Sequence, residues 1–478
     1  MNSAPLWTAA GVLDAVSGNC ASRDWTVTGI SIDSRTVAEG DLFIAIVGPN
    51  NDGHAYLAKA FDQGAVAALV SRVPENCPDA LNLILVADTQ LAMEQLGMAA
   101  RARTHARIIA VTGSVGKTGT KEALAHVLKA QGRTHYSVGS YNNHWGVPLS
   151  LARMPQDTEF AIFELGMNHA GELRVLSKMV RAHVALITTI AVAHLEFFDS
   201  IDDIATAKSE IFEGLEEGGM ALLNADDGYC EFLSKKALAA GVGRVATFGE
   251  AKQADICLQG VLLLPQLSEI SVTVFGHNLT FTLSVPGRHW VQNSLAVLGA
   301  VYAVGADVGA AAQALGSMAP PSGRGGLISV PCEGGAFEIV DESYNASPIA
   351  MQAAFKVLSA MNRRNSGRKI MVLGDMRELG EKSTEIHASL ANDISASDVD
   401  MVYACGPNMW HLYEALPHNL KAGYADNSDE LAGIVAGNIR AEDVILVKGS
   451  LGSKMKVILD MLLVSAGDQN AVKKQEGK

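Results

Sequence analysis

The segment Arg107–Thr118, RIIAVTGSVGKT, constrains the fold of this chain more than any other part of the sequence. Its first six residues form a continuous apolar, β-branched run, which is typical of a parallel strand buried on both faces. A helix is predicted to follow and to run through Glu122 to Lys129. A glycine-rich turn between a buried parallel strand and a helix is characteristic of open α/β sheets, so we expect an α/β fold.

The turn in this segment predicts a phosphate-binding loop. Glycine lets backbone N–H groups point inward around phosphate oxygens, and the start of the next helix adds partial positive charge. Lys117 is placed to reach the β- and γ-phosphates of a nucleotide, and the hydroxyl of Thr118 to bind Mg²⁺. The usual GxxxxGK[ST] pattern has glycine where this chain has Val111, so the match is to the shorter GxxGKT form. The alternative is a plain strand-to-helix turn. The predicted loop residues are Gly113, Ser114, Val115, Gly116, Lys117, Thr118 and Gly119.

The length of 478 residues predicts several domains, because one hydrophobic core rarely organises so long a chain. We expect a small N-terminal α/β domain over residues 1–88, a central P-loop domain with a parallel sheet over 89–320, and a Rossmann-like C-terminal domain over 321–478. The last boundary follows from the Pro- and Gly-rich segment Met318–Gly326, since these residues interrupt regular structure.

Short apolar runs separated by turn residues or helix-length segments predict the strands of the three domains. One helix, Thr89–Arg103, is predicted to lead into the central domain. The predicted strands are Asp41–Val47, Ala65–Val70, Leu81–Val86, Arg107–Thr112, Phe160–Glu164, Val184–Ile190, Met220–Asn224, Phe337–Asp341, Lys369–Gly374, Asp400–Cys405 and Val444–Val447.

Composition and charge exclude several classes of partner. The net charge of −14 argues against sequence-independent nucleic-acid binding, and no apolar run approaches the ~20 residues of a membrane span. The six cysteines contain no CxxC pair, so free thiols are expected. The start, Met1–Val16, lacks the pattern of a signal peptide. We expect a cytoplasmic monomer that acts on small molecules and binds neither nucleic acid nor membrane.

The central third of the chain resembles the Mur ligases. Beside the short phosphate loop, the similarity lies in Phe163–Met167 (FELGM), Ala193–Glu196 (AHLE) and Ala207–Glu210 (AKSE). The resemblance implies a three-domain fold and an ATP-dependent amide ligase that passes through an acyl phosphate. Activation by ATP is needed because joining a carboxylate to an amine is unfavourable in water.

The flanking regions extend this resemblance over nearly the whole chain. Upstream, Asp33–Arg35, Gly40–Phe43 and Asp52–His54 are similar to the family's UDP-sugar-binding N-terminal domain. Downstream, Asp341–Pro348 and Leu373–Gly380 are similar to the members that add D-alanyl-D-alanine, and the DNPR sequence of diaminopimelate-adding members is absent. The implied substrates are UDP-N-acetylmuramoyl-tripeptide and D-alanyl-D-alanine, in peptidoglycan precursor synthesis. The alternatives are a diaminopimelate-adding or folylpolyglutamate-type ligase and, from another class, a P-loop nucleotide switch.

The resemblance also implies a magnesium site with two ions. Lys117, His194 and Lys208 become the catalytic residues, and Lys208 is expected to be carbamylated, which would turn a cation into an anionic oxygen ligand. From the residues alone, Glu164 ends a strand and carries oxygen atoms that suit Mg²⁺, or else it caps a helix. His194 could equally be a loop histidine and Lys208 a surface lysine. The implied metal ligands are Thr118, Glu164, His194 and Lys208.

Further residues acquire roles from the same resemblance. Asn293 is expected to bind adenine, Arg324 the γ-phosphate and Asp341 the ribose. The simpler readings are a helix cap or loop contact for Asn293, a solvated arginine for Arg324, and a turn carboxylate for Asp341. The expected substrate-binding residues, for several of which a simple turn is the alternative, are Ser34, Arg35, Asn142, Asn143, Tyr344, Asn345 and Ser347.

Overall fold

The computed structural model describes residues 4–74, 81–192, 195–264, 266–363 and 365–464. These residues form three α/β units built on a four-stranded, a nine-stranded and a six-stranded sheet, which confirms the predicted fold class. A further two-stranded sheet lies near the N-terminus. Among the described residues, no helix has both the length and the apolar character needed to cross a bilayer.

The N-terminal unit is a small parallel sheet with helices packed on it. The sheet order is β3-β4-β5-β6, all parallel, with β1 and β2 paired antiparallel beside it. Its elements are β1 (Trp7–Thr8), α1 (Ala9–Val16), β2 (Thr26–Val27), β3 (Gly29–Ser31), β4 (Asp41–Ile44), a 3₁₀ turn (Gly53–Tyr56), α2 (Leu57–Asp62), β5 (Ala67–Val70) and β6 (Leu83–Leu85).

The helix α3 (Thr89–Ala102) connects the first unit to the second. Its N-terminus is capped by Asp88, whose carboxylate accepts hydrogen bonds from two backbone N–H groups of the first turn. Met93 and Leu96 of α3 are fully buried in the same cluster as Trp7 and Val12, so this helix contributes to the core of the N-terminal unit. The boundary at residue 88 stays a prediction.

The central unit contains the longest sheet. Its first elements are β7 (Arg107–Thr112), α4 (Lys117–Lys129), β8 (Thr134–Tyr136), α5 (Gly146–Ala152), β9 (Phe160–Glu164), α6 (Glu172–Val180), β10 (Val184–Ile187), α7 (Ile201–Ser209) and a 3₁₀ turn (Glu210–Gly214). They are followed by β11 (Met220–Asn224), α8 (Cys230–Ala239), β12 (Arg244–Gly249), β13 (Ile256–Leu263), β14 (Ser268–Val274), β15 (His277–Leu283), α9 (Arg288–Ala303) and α10 (Val308–Leu315).

The order of this sheet is β15-β14-β13-β12-β11-β10-β7-β9-β8. The strands from β8 to β13 pair in parallel, with Ile109 of β7 opposite Val184 of β10. Separate apolar clusters cover the two faces of the sheet, as expected for parallel strands with crossover helices. The last two pairings, β13 with β14 and β14 with β15, are antiparallel, an extension that the sequence prediction did not contain.

The C-terminal unit follows the connector at residues 319–325 and has the sheet order β16-β17-β21-β18-β19-β20. Only β16 pairs antiparallel, and the remaining strands are parallel. Its elements are β16 (Gly326–Cys332), β17 (Gly335–Glu342), α11 (Pro348–Ala360), β18 (Lys369–Gly374), a 3₁₀ turn (Gly380–Lys382), α12 (Ser383–Ser395), β19 (Met401–Cys405), α13 (Met409–Ala415), a 3₁₀ turn (His418–Leu420), β20 (Lys421–Ala425), α14 (Ser428–Ala436), β21 (Val444–Lys448), a 3₁₀ turn (Leu451–Ser453) and a helix over 456–464.

Candidate active site

The predicted phosphate loop lies between β7 and α4 and has a conformation that requires glycine. Gly113 has φ +145° and Gly116 has φ +90°, a region of backbone space that other residues rarely adopt. There is also no room for larger residues, since a Cβ atom on Gly113 would lie 2.0 Å from the hydroxyl of Thr188. On Gly116 it would lie 3.0 Å from the side-chain oxygen of Asn293. The loop glycines therefore serve the close approach of neighbouring groups.

Two threonines after the adjacent strand β10 fasten this loop. The hydroxyl of Thr188 donates to the carbonyl of Val115 at 2.6 Å, and the carbonyl of Thr189 accepts from the backbone N–H of Ser114 at 2.7 Å. Neither threonine was among the predicted site residues. Their position could have suggested a role, because β10 ends at the same edge of the parallel sheet as β7, where open α/β sheets bind ligands.

Lys117 folds back over the loop. Its ammonium nitrogen donates to the carbonyl oxygens of Gly113 at 2.6 Å and Ser114 at 3.3 Å. Burial lowers the pKa of Lys117 from its ordinary value, Glu164 opposes this shift, and Arg324 adds to it. The site thus brings the positive charges of Lys117 and Arg324 together near the carboxylates of Glu164 and Glu378, and the paired cations suit an anionic ligand such as a polyphosphate.

Glu164, at the end of β9, has the properties of a cation ligand. It is 1% exposed, and its Oε1 atom accepts a hydrogen bond of 2.8 Å from the amide of Asn142. Its Oε2 atom is buried and has no hydrogen-bond partner among the described residues. A buried carboxylate oxygen without a partner is costly, and a hard cation such as Mg²⁺ would satisfy it. The alternative of a helix cap receives no support, since Asn142 is the side chain's hydrogen-bond partner.

Lys208 lies on α7 and is 1% exposed, so the alternative of a surface lysine is wrong. Burial lowers the pKa of Lys208 well below its ordinary value, and the charge of Lys117 adds to this shift. His194, the third residue of the predicted metal set, lies outside the described residues.

Arg324 joins the C-terminal side of the molecule to the phosphate loop. Its guanidinium donates to the hydroxyl of Thr118 at 3.1 Å, and its central carbon lies 4.6 Å from the ring centre of Tyr344. Tyr344 in turn forms a hydrogen bond of 2.7 Å with the hydroxyl of Ser140, a residue that the sequence analysis did not select. Arg324 is therefore not a simple solvated arginine, because it contacts both the loop and the third domain.

Asn293 and Asp341 have different surroundings. Asn293, on α9, packs against Gly116 and Gly119 of the phosphate loop, which supports a role at the nucleotide. Asp341 is 5% exposed, and both of its oxygens accept local hydrogen bonds, from Gly323 at 3.0 Å and from Ser343 at 2.6 Å. These bonds match the alternative of a turn carboxylate. A contact between Asp341 and ribose stays a prediction.

Several predicted substrate residues also hold turns. Asn143 accepts hydrogen bonds from the N–H groups of Trp145 and Gly146 and closes the turn before α5. Asn345 accepts from the next N–H group through its side chain, and its carbonyl accepts from Lys448. Ser347 precedes α11 and makes no side-chain capping bond. Of these three, only Ser347 leaves its side chain without a recorded local bond in the described structure.

Ser34 and Arg35 lie in the N-terminal unit, away from the phosphate loop. Ser34 is buried, and the exposed Arg35 forms an ion pair of 2.6 Å with Asp33. Asp33 raises the pKa of Arg35, with a smaller contribution from Tyr141. Gly48 of the same unit lies against Trp145, so the first domain packs beside the turn that follows Asn142 and Asn143.

Three models of known families match successive parts of the chain. "Mur ligase family, catalytic domain" matches residues 26–114, "Mur ligase middle domain" matches 111–301, and "Mur ligase, glutamate ligase domain" matches 328–451. The matched segments follow the order of the three units, and the first of them continues through β7 of the central sheet. A P-loop domain between two further α/β domains, with the third domain contacting the loop, defines a three-domain nucleotide-dependent ligase.

Known proteins are similar over the full length. The UDP-N-acetylmuramoyl-tripeptide--D-alanyl-D-alanine ligase of Rickettsia prowazekii is 34% identical, over 96% of this chain and 99% of that protein. The ligase of the same name from Bacillus subtilis is 33% identical, over 96% and 98%. A crystal structure of MurF from Acinetobacter baumannii has a TM-score of 0.84 at 30% identity and covers 97% of this chain and 100% of its own. The chain belongs to the Mur ligase family, in the branch of the UDP-N-acetylmuramoyl-tripeptide--D-alanyl-D-alanine ligases, as the sequence predicted.

Proposed function

We propose that this chain catalyses the reaction for which its relatives are named, the ATP-dependent addition of D-alanyl-D-alanine to UDP-N-acetylmuramoyl-tripeptide in peptidoglycan precursor synthesis. The observation that carries the proposal is the meeting of three parts in one site. Arg324, which lies against Tyr344, donates to Thr118 of the phosphate loop. Glu164, whose Oε2 atom has no partner among the described residues, ends the strand β9 that pairs with β7 just before this loop. A MurF from Thermotoga maritima, with a TM-score of 0.75 and 26% identity over 92% of this chain and 98% of its own, was solved in complex with ADP, which supports a nucleotide at this loop.

The reaction requires two displacements. The terminal carboxylate of the tripeptide attacks the γ-phosphorus of ATP, so that ADP leaves and an acyl phosphate forms. The amine of D-alanyl-D-alanine then attacks the acyl carbon, phosphate leaves, and the amine loses its proton. Lys117 and the backbone N–H groups of the loop would hold the phosphates in line, while Arg324 has the planar donor pattern that suits the γ-phosphate.

The residues present fit a magnesium site. Glu164 offers a free carboxylate oxygen and Thr118 a hydroxyl next to Lys117. No group of three or more His, Cys, Asp or Glu side chains forms a metal site in the part of the chain that the structure describes. Phosphate oxygens and water would therefore complete the coordination, as is usual for Mg²⁺ in nucleotide sites. Bound Mg²⁺ would neutralise negative charge on the phosphates. We propose two such ions, and the proposed protein ligands are Thr118, Glu164, His194 and Lys208.

Carbamylation of Lys208 is part of the proposal. The neutral amine would attack CO₂ and release one proton, which gives a carbamate with two oxygens. The burial of Lys208 supports this step, because a lowered pKa favours the uncharged, nucleophilic amine over the ammonium. The carbamate would also remove the repulsion between Lys208 and Lys117.

The remaining assignments place the two substrates on either side of the phosphate loop. We propose that the uridine diphosphate lies at Ser34 and Arg35, the muramoyl peptide at Asn142 and Asn143, adenine at Asn293, and ribose near Asp341. D-alanyl-D-alanine would lie at the third domain, where the proposed contacts are Tyr344, Asn345 and Ser347. The packing of Trp145, two residues after Asn143, against Gly48 of the first domain supports a path from that domain into the site. We further propose that the enzyme works as a monomer in the cytoplasm.

Phosphate release with defined substrates tests the proposal. We expect release only when ATP, UDP-N-acetylmuramoyl-tripeptide and D-alanyl-D-alanine are all present. Dependence on free diaminopimelate or on a folate would identify another amide ligase, and hydrolysis without any acceptor would identify a nucleotide switch. Lys117→Ala should abolish release, whereas Lys129→Ala, an exposed lysine at the other end of α4, should retain it.

A further inference from the structure

A second lysine of the phosphate-loop helix has no role in the reaction described above. Lys121 follows Lys117 by four residues on α4, and its side chain is 0% exposed. Its ammonium donates to the carbonyl oxygens of Ser137 and Gly139, each at 2.7 Å, and forms an ion pair of 2.9 Å with Glu122. Lysine is rarely buried to this extent, and here three acceptors compensate for its loss of water.

The two carbonyl acceptors belong to the segment 137–143, which follows β8 and is named here the anchor loop. The anchor loop has no helix or strand of its own. Three of its side chains reach other parts of the site. The amide of Asn142 donates to Glu164 at 2.8 Å, the hydroxyl of Ser137 accepts from the backbone N–H of Glu164 at 3.2 Å, and the hydroxyl of Ser140 meets that of Tyr344 at 2.7 Å. A loop without regular structure depends on such side-chain bonds for a fixed shape.

We infer that Lys121 is a positioning residue for ligation: it fixes the anchor loop so that Asn142 orients Glu164 and Ser140 receives Tyr344. This inference rests on the proposed function. Lys121 thereby links the helix that holds the phosphates to the loop that serves the metal ligand and the third domain. Its side-chain bonds go to the anchor loop and to Glu122, and none goes to Gly113–Thr118.

The geometry separates two effects of removing this ammonium. Replacement by methionine keeps an unbranched chain of similar length but leaves the carbonyls of Ser137 and Gly139 without their donor. The anchor loop should then lose its fixed shape. The phosphate loop keeps its own bonds to Thr188 and Thr189, so nucleotide affinity should change little.

Kinetics of Lys121→Met test the inference, with Lys129→Met as the control on the same helix. We expect kcat/KM for the UDP-linked substrate to fall by about tenfold or more, and the Mg²⁺ concentration for half-maximal rate to rise. ADP affinity, measured by calorimetry, should stay within about twofold of that of the parent enzyme, since the phosphate loop is untouched. Lys121→Arg, which keeps the donors, should restore part of the rate, and Lys129→Met should behave as the parent enzyme.

Hydrogen exchange provides a readout that does not require turnover. In Lys121→Met, backbone protection should decrease in peptides that cover 137–143 and remain in peptides that cover 113–119. Equal loss of protection in both, or ADP affinity that falls in parallel with the rate, would show a merely structural lysine and overturn the inference. An unchanged rate would overturn it as well. If the parent enzyme does not join the two substrates, the proposed function fails, but the exchange measurement still decides whether Lys121 holds the anchor loop. If Lys121→Met does not fold, the same measurements on Lys121→Arg and Lys121→Gln decide.

Discussion

The hydroxyl oxygens of Tyr344 and Ser140 lie 2.7 Å apart, so one hydrogen bond joins the C-terminal domain to a loop of the central domain. Tyr344 also lies against Arg324, and Arg324 donates to Thr118 of the phosphate loop. These contacts form a chain around the proposed place of the terminal phosphates. Domain arrangement and phosphate binding are therefore connected through a few named side chains.

Removing the bond between Tyr344 and Ser140 should weaken ligation more than nucleotide binding. For Tyr344→Phe and for Ser140→Ala we expect kcat/KM to fall by about threefold to tenfold, which is typical of one neutral hydrogen bond. The double variant should lose no more than the stronger single variant, because both changes remove the same bond. Initial rates at varied D-alanyl-D-alanine check this, and additive losses would contradict it.

The oxygen of Glu164 that has no partner predicts a change in magnesium dependence. Glu164→Gln removes the negative charge and should lower kcat by about a hundredfold or more, since charge neutralisation dominates phosphoryl transfer. Asn142→Ala leaves the carboxylate but frees it to rotate, so the main effect should be a higher Mg²⁺ requirement. Rates measured against Mg²⁺ concentration separate the two. The exposed Glu231, changed to Gln, is the control; an unaltered Mg²⁺ curve for both site variants would refute the assignment.

Carbamylation predicts that Lys208 depends on CO₂. Lys208→Ala should abolish activity, and short-chain carboxylic acids should restore part of it by supplying an oxygen ligand in the emptied space. Removal of bicarbonate should lower the rate of the parent enzyme, and ¹³C-labelled CO₂ should give a carbamate signal in NMR that Lys208→Ala lacks. Lys235→Ala, an exposed lysine, should retain both rate and signal. A rate indifferent to acids and bicarbonate would remove the support for the modification.

The lowered pKa values of two histidines predict that the protein is less stable at acidic pH. Burial lowers the pKa of His135 from 6.5 to about 4, and burial together with Arg107 and Arg101 lowers that of His183 to about 4. Between these pH values the unfolded chain binds more protons than the folded chain, so the free energy of unfolding is largest above pH 6.5 and falls as the pH drops towards 4. One histidine contributes a slope of at most about 1.4 kcal/mol per pH unit.

Urea unfolding between pH 4 and pH 7.5 measures this slope. His135→Gln should reduce the slope without removing it, because His183 remains. The same slope in the variant and in the parent would show that His135 is not the source.

The sequence predicted those strands best that are buried on both faces. The bounds of β7, β9, β11 and β18 match the prediction residue for residue, since burial on two sides requires a continuous apolar run. The antiparallel strands β14 and β15 were not predicted. They expose one face, and residues such as Glu269, Ser271 and Thr273 interrupt the apolar pattern.

The residues of the candidate site also differ in how well the sequence predicted them. The phosphate loop is contiguous in sequence, so its glycines and lysine could be recognised directly. Ser140 and Tyr344 are 204 residues apart. Tyr344 was selected through the resemblance of Asp341–Pro348, but nothing in the sequence indicates that Ser140 is its partner. Lys121 donates to backbone carbonyl oxygens. Because every residue has such an oxygen, the side chains in the sequence could not predict which residues Lys121 binds. The spacing of four residues from Lys117 was the only available sign, because it places both lysines on one side of the helix.

Arg324 stands between Gly323 and Gly325, which both have positive φ angles, +73° and +90°. If the C-terminal domain swings about this pair of glycines, a residue at the pivot travels a short arc, while the far edge of the sheet at β20 travels a long one. Arg324 can thus keep its hydrogen bond to Thr118 through much of this rotation. Such a movement would alter the contact between Arg324 and Thr118 little, and its largest displacement would fall at the opposite edge of the sheet.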